Sequence, residues 1–373
     1  MSYDNILEAR VKEAKEAGSD NSHLLSFEKD LCYGILKTYD ENYIGSSLMS
    51  TSALFRGTYN LVNSSCERAD SYDDETIISS AQKGNKSTGL VTTMRLTDPL
   101  PATLYGIGHG SGVSECPELA NVNCTDASHI LIHGKISSRM DVIFGNGHGI
   151  LGVDANDLDH KVTECHRVDG RNLINEWKSA DPKRVYFGSA EEFSKHKINS
   201  GENYLGTFLE SKLNETKELN DVVIKAIQVL KSNINGYFLV VIIDDVDAVK
   251  MTLTLSRLVR RVKMVISRID TILIATSDYI YPKENCNGEV VKDDLRYNKV
   301  PANSETEMKM PMTREKNTSK QNNNSRSASA KIRVMYPCNH SGSPSKNLHV
   351  PFYSSRACGR AYEYIVDQAK FGY

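Results

Sequence analysis

Gly236-Tyr237-Phe238-Leu239-Val240-Val241-Ile242-Ile243-Asp244-Asp245-Val246-Asp247 is the stretch whose reading decides the fold. Tyr237 to Ile243 is an unbroken apolar run, too short for a membrane helix and rich in β-branched residues, so it reads as a strand buried on both faces. It then delivers three carboxylates, Asp244, Asp245 and Asp247. In an open parallel sheet ligands sit beyond the carboxyl ends of the strands, so acids placed there suit a metal or a phosphate site. Thr271-Ile272-Leu273-Ile274-Ala275-Thr276-Ser277-Asp278 repeats the pattern. Between the two, Leu253 to Ile269 has apolar residues at Leu253, Leu255, Leu258, Val259, Val262, Val265 and Ile266, which is helical spacing, and the block reads as β-α-β. The plainer alternative is that such acids only begin a loop.

Working outward, 373 residues suffice for one large α/β domain or two smaller ones. A net charge of -2 argues against nucleic acid or an anionic membrane as partner. No run of about 18 apolar residues exists, so no membrane span is expected. Met1 to Glu16 is polar and charged, unlike a signal peptide. Eight cysteines and the sequons at Asn63, Asn85, Asn123, Asn214, Asn317, Asn323 and Asn339 point the other way, towards a secretory ancestry.

Helices are predicted at Asn5 to Ala17, Gly45 to Thr58, Thr125 to Ser137, Arg171 to Trp177, Leu219 to Ser232 and, at the end, Ala361 to Ala369. Strands are predicted at Leu31 to Tyr39, Gly89 to Arg95 and Met140 to Phe144. Alternating strands and helices indicate α/β architecture with a mostly parallel sheet and helices on both faces. Gly145-Asn146-Gly147-His148-Gly149 follows a strand and reads as a phosphate cradle or, more commonly, a tight turn. His129 and His133 have the spacing of two metal ligands on one helical face, without a third in register. Asn303 to Lys331 has almost nothing apolar to bury and reads as disordered or a long loop.

Several segments, in colinear order from about residue 5 to 281 and more weakly from His349, resemble the metazoan alkaline phosphatases. Leu36-Lys37-Thr38-Tyr39 resembles the strand before the nucleophile, and Ser46-Ser47-Leu48-Met49-Ser50-Thr51-Ser52-Ala53 lies where the family has Asp-Ser-Gly-Ala-Thr-Ala-Thr-Ala. Ser87 to Arg95 is similar to Ser-Val-Gly-Val-Val-Thr-Thr-Thr-Arg. Cys124-Thr125-Asp126, Met140 to Gly147 and Tyr204 to Phe208 match further blocks, and Arg167-Val168-Asp169-Gly170-Arg171-Asn172-Leu173-Ile174-Asn175-Glu176-Trp177 is the most specific match. The resemblance implies a phosphomonoesterase with a serine nucleophile and a phosphoserine intermediate. Two zinc ions would activate that serine and the later water, beside a magnesium site. An arginine would hold the phosphate.

On that alignment Ser47 is the nucleophile position, although the acid before it is Ser46. Asp247 and His349 fall on ligands of the first zinc, whose third, a histidine, falls on Met251. Asp278 falls on a ligand of the second zinc, with Tyr279 in place of the next histidine. Asp98 falls on a magnesium-site position, while that site's hydroxyl and glutamate positions are Leu100 and Ile242. The phosphate arginine falls near Ser111, and the family's first metal-ligand aspartate sits on an N-terminal strand that precedes Met1. Cys66 and Cys124 align with a disulfide pair, which would add roughly 3–4 kcal/mol. Asp244 and Asp245 are additional acids that could improvise a Ca²⁺ or Mg²⁺ site.

With no metal site keeping its full ligand set, the expectation is an alkaline phosphatase-like protein with impaired or no catalysis, a pseudoenzyme; an active metal-dependent phosphatase is the alternative. Zinc and magnesium are the implied cofactors, and the resemblance further implies a homodimer, a phosphomonoester substrate if active, and an extracellular or lipid-anchored relative. The expected domains are a core at 1–281 lacking the family's first strand, a degenerate surface domain at 282–347 and a C-terminal return to the core at 348–373.

Overall fold

The computed structural model describes residues 3–19, 23–29, 32–37, 47–57, 75–107, 125–152, 167, 169–207, 216–267, 269–278, 349–355 and 365–367. In chain order the main elements are α1 (Tyr3–Ala17), β1 (Cys32–Lys37), α2 (Ser47–Arg56), α3 (Ile77–Lys83), β2 (Ser87–Arg95) and α4 (Pro99–Leu104). Then come α5 (Ala127–His133), β3 (Val142–Asn146), α6 (Leu173–Ala180), β4 (Arg184–Phe187), α7 (Ala190–Lys195) and β5 (Asn203–Thr207). The last are α8 (Thr216–Leu230), β6 (Tyr237–Ile242), α9 (Ala248–Val262), β7 (Ile274–Thr276), β8 (His349–Ser354) and β9 (Ile365–Asp367). All lie in one compact unit, Met1–Tyr281 with Lys346–Tyr373; residues 282–345, including the low-complexity stretch Asn303 to Lys331, fall outside the described residues.

Two sheets form. One is five-stranded in the order β4-β5-β3-β2-β6, with every pair parallel. The other is mixed, in the order β7-β8-β1-β9. Alternation along the parallel strands sorts side chains to two faces. Leu90, Ile143 and Leu205 enter a core with α3, α4, α5 and α6, where Trp177 is buried. Val91, Val142, Phe144 and Tyr204 enter a second core against α7, α8 and α9. The spacing Leu219, Val222, Val223, Ala226, Ile227 and Leu230 turns one face of α8 into that core. A third cluster joins Ile6 and Ala9 of α1 to Leu253 and Val259 of α9 and to Ala275 and Tyr353 of the mixed sheet. Strand β2 can run this close to its neighbours because Gly89 has no side chain: a Cβ there would meet Leu230 Cδ1 at 3.0 Å and Leu239 Cδ1 at 3.1 Å.

Most expected elements are present, with informative differences. The helix expected from Leu253 begins at Ala248, because Asp247 caps it: its Oδ1 accepts from the amides of Val249 (2.9 Å) and Lys250 (3.0 Å). The strand expected to be buried on both faces packs against a core on each, but Tyr237 to Val241 are only half-buried, and among the described residues β6 is the last strand of its sheet. The β-α-β block does not close within one sheet, since β7 pairs antiparallel with β8 instead of with β6. The helix expected at Ala361 to Ala369 is corrected at Ile365–Asp367, which pairs with β1 as a parallel strand. Three consecutive residues with two branched apolar side chains suit a strand once a partner edge is available. Cys32 is disulfide-bonded.

Candidate functional site

The carboxyl ends of β2, β6 and β7 converge. Asp98 follows β2 and precedes α4, Asp244 and Asp245 follow β6, and Asp278 follows β7. Thr93 of β2 ties the first two strand ends together: its Oγ1 donates to the Asp244 carbonyl (3.0 Å) and accepts from the Asp244 amide (2.8 Å). Burial, and then the charges of Asp278, Asp98 and Asp245, push the Asp244 carboxyl above the usual aspartate range. The structure therefore brings Asp98 and Asp278 each within electrostatic reach of Asp244.

The same edge supplies its own bases. Asp98 Oδ1 accepts from Arg95 Nε and Nη2, each at 3.1 Å, and its Oδ2 accepts from the Arg95 amide at 3.0 Å. Asp245 Oδ2 lies 2.7 Å from Lys250 Nζ, and Asp245 Oδ1 accepts from the Asp247 amide at 3.1 Å. Burial alone would raise the Asp245 carboxyl, but these hydrogen bonds and the Lys250 charge outweigh it and hold it below the usual range. Asp247 spends Oδ1 on the α9 cap. Ile242 is buried in the α3–α6 core with Leu100 packed against that core, and Met251 stands one helical turn beyond Asp247.

The described donors alone do not make up the implied metal sites. Zinc asks for three or four N, S or O ligands at about 2.0–2.3 Å, and magnesium for an oxygen shell. Among the described residues no group of three or more His, Cys, Asp or Glu side chains is arranged to hold a metal ion. Ser47 opens α2 and His349 opens β8, but their side chains lie outside the described residues, as do Tyr279, Ser111, Cys66 and Cys124.

The other sequence candidates resolve differently. The rings of His129 and His133 are 4.6 Å apart, but His133 Nε2 lies 2.8 Å from Glu176 Oε2 and 3.3 Å from Arg171 Nη2. Burial, then the charge of His133, lowers the His129 pKa. The glycine-rich segment after β3 is a turn: Asn146 Nδ2 donates to the Thr93 carbonyl (2.7 Å), and Gly147 takes φ 103°. His148 Nδ1 sits 2.7 Å from the Tyr186 hydroxyl and 3.0 Å from Thr207 Oγ1, and burial pushes the Tyr186 phenol up to about 12. Reading the sequence did not single out Thr93, Arg95 or Lys250 as site residues. The one available signal was their position: two lie in a strand that ends at the acid edge, and Lys250 sits three residues after the capping Asp247.

The sequence model of the alkaline phosphatase family matches residues 1–352. The chain is similar to the human alkaline phosphatase, tissue-nonspecific isozyme, at 24% identity over 245 residues, 58% of this chain and 46% of the relative. It is 24% identical over 319 residues to an alkaline phosphatase of Gadus morhua, covering 75% of this chain and 66% of the relative. The membrane-bound alkaline phosphatase of Bombyx mori is 25% identical, with 75% and 58% covered. The chain thus spans between 46% and 66% of the length of these relatives. In fold it is similar to the alkaline phosphatase of the Antarctic bacterium TAB5, with TM-score 0.56, 13% identity, and 98% of this chain and 92% of that one covered. The Thermus thermophilus alkaline phosphatase gives TM-score 0.54 at 17% identity, covering 75% and 57%. A variant of the TAB5 enzyme carries magnesium in its M3 site.

Proposed function

Since this chain belongs to the alkaline phosphatase family, we propose that it is a phosphatase-like protein whose catalysis is impaired or lost and whose role is binding or structural. The observation that carries this reading is the charge arrangement at the strand ends. Cations of the protein itself, Arg95 and Lys250, sit on Asp98 and Asp245. An apolar side chain, Ile242, stands where the resemblance calls for a magnesium ligand. In-line phosphoryl transfer needs positive charge on the attacking and leaving oxygens at once. Acids already held by the protein's own cations have less to offer a metal, and activities that depend on such groups acting together fall steeply when any one is lost.

The second reading, a working metal-dependent phosphatase with a phosphoserine on Ser47, is favoured by one observation: Asp98 and Asp278 both lie close enough to Asp244 for their charges to act on it. A single assay separates the two. Zinc- and magnesium-loaded chain should hydrolyse a chromogenic phosphomonoester at alkaline pH no faster than buffer, and Ser47→Ala should change nothing. A zinc-dependent rate that disappears in Ser47→Ala would replace the first reading with the second.

A homodimer, a Cys66–Cys124 disulfide beside the bond made by Cys32, glycosylation at sequons such as Asn85, and a reduced surface domain at 282–347 belong to the same proposal. Light scattering, peptide mapping and limited proteolysis within 303–331 test them in turn. Among the described residues no helix is long and apolar enough to cross a membrane.

A further inference from the structure

The net charge of -2 averages over two ends of the parallel sheet that differ in sign. Asp98, Asp244, Asp245 and Asp247 lie beyond the carboxyl ends of β2 and β6. At the amino ends, where the chain enters each strand, Lys86 precedes β2, Arg139 precedes β3, Lys183 precedes β4 and Lys197 precedes β5. Lys178 and Lys231 stand at the ends of α6 and α8. All six bases are exposed. Among the described residues the acids of the same turns are Asp141, Asp181 and Glu202, each half-buried. Asp141 accepts from the Thr88 amide, Asp181 from the Lys183 amide and Glu202 from the Tyr204 hydroxyl, each at 2.8 Å.

Hydrogen bonds tie these turns to one another. Lys86 Nζ donates to the Asn235 carbonyl and Asn233 Nδ2 to the Asn85 carbonyl, each at 2.9 Å, joining the entries of β2 and β6. Arg184 Nη2 donates to the Ser138 carbonyl (3.0 Å) and the Asn203 amide to the Lys183 carbonyl (3.1 Å), joining the entries of β3, β4 and β5. Lys183 Nζ leans over the β5 entry, 3.3 Å from where a Cβ on Gly201 would lie. The helix dipole accounts for Lys178 and Lys231, because a base beside the last turn answers the negative C-terminus. That effect fades beyond the last turn, so it leaves Lys86, Arg139, Lys183 and Lys197 unexplained.

We propose that the amino ends of the parallel strands form a binding surface for a linear, sulfated acidic polysaccharide laid across the strand entries. The sheet order β4-β5-β3-β2 sets Lys183, Arg139 and Lys86 along one line. Neighbouring strands are about 4.8 Å apart, so the line from β4 to β2 runs about 14 Å, the reach of a short oligosaccharide. A line of bases on a hydrogen-bonded edge suits a chain that carries sulfates and carboxylates at intervals, and the edge is ordered before the ligand arrives. Cys32 is disulfide-bonded, which belongs to an oxidising compartment, where sulfated glycans rather than nucleic acids are the abundant linear polyanions. The surface lies at the opposite ends of the strands from Asp98 and Asp244, so it stands apart from the catalytic reading.

The test uses the full chain and a fluorescein-labelled heparin oligosaccharide, read by fluorescence anisotropy. Binding should saturate at about 50 mM salt and weaken about tenfold or more by about 200 mM, as release of a polyanion's counterions requires. Lys86→Glu, Arg139→Glu and Lys183→Glu together should weaken it about tenfold or more at the lower salt. Lys12→Glu, Lys15→Glu and Arg260→Glu make the same charge change at exposed positions of α1 and α9 and should leave affinity within about twofold. Lys183→Ala alone, a milder change, should lower the slope of log affinity against log salt by about one. No binding at the lower salt, equal losses in the two triple variants, or an unchanged slope in Lys183→Ala would overturn the proposal. Duplex DNA or phosphatidylserine vesicles that bind as tightly as the oligosaccharide would also overturn it, assigning the surface to another polyanion.

Discussion

Two charged regions of this molecule are built from the same kinds of side chain and differ in closure. Around α5 and α6, Arg167 has a side chain only 2% exposed and pairs with Asp126 at 3.0 Å and Asp169 at 2.5 Å. Asp126 also caps α5 through the His129 amide (2.9 Å), and Arg171 and His133 share Glu176. Each of these acids has a base against it. At the ends of β2 and β6, Arg95 and Lys250 hold Asp98 and Asp245, while Asp244 feels the like charges of Asp278, Asp98 and Asp245. The segment that most specifically resembles the family, Arg167 to Trp177, lies in the closed region, while the described positions Leu100, Ile242 and Met251 stand on the elements that border the open one. Strong family likeness here thus reports architecture, because a buried charge pair cannot lose one member cheaply, whereas a solvated acid edge can.

The comparison breaks first at Arg167. Arg167→Ala leaves Asp126 buried without its partner and should cost about 3–5 kcal/mol in urea unfolding; a loss below about 1 kcal/mol would show that the closed region does not hold the fold. Next in size is Glu176. The Arg171 hydrogen bond, against the opposing effect of burial, holds its carboxyl at about 2. An acid with a depressed folded pKa contributes stability that is complete above the ordinary glutamate range and is lost as pH falls through the folded value. Glu176→Gln should therefore remove a stability increment of up to about 1 kcal/mol at neutral pH, given the exposure of the pair, and flatten the acid limb between about pH 4.5 and 2. Parallel pH–denaturation curves for the two proteins would count against this.

The smallest effect has the opposite sign. The Asp244 pKa is raised, so the folded state favours the protonated form and stability from this group declines as pH rises. Asp244→Asn should be slightly stabilising at pH 7, with the gain vanishing below the ordinary aspartate range. Thermal melts across pH that show destabilisation at pH 7 would mean that the acid edge is satisfied after all and would weaken the contrast drawn between the two regions.

Much of this was legible in the chain itself. The run Tyr237 to Ile243 and the periodicity of α1, α8 and the body of α9 identified elements, because apolar spacing is a local property. The residue types at Ile242 and Met251 set the expectation of replaced ligands. What composition and spacing could not supply was partnership. Ile365–Asp367 became a strand only because β1 offered an edge, and β7 joined the mixed sheet through β8 instead of pairing with β6. Arg95 and Lys250 became counter-charges only when the fold set them beside Asp98 and Asp245. Local periodicity determines which segments form helices or strands; pairing, burial and the sign of a pKa shift depend on neighbours distant in sequence, and those only the tertiary structure decides.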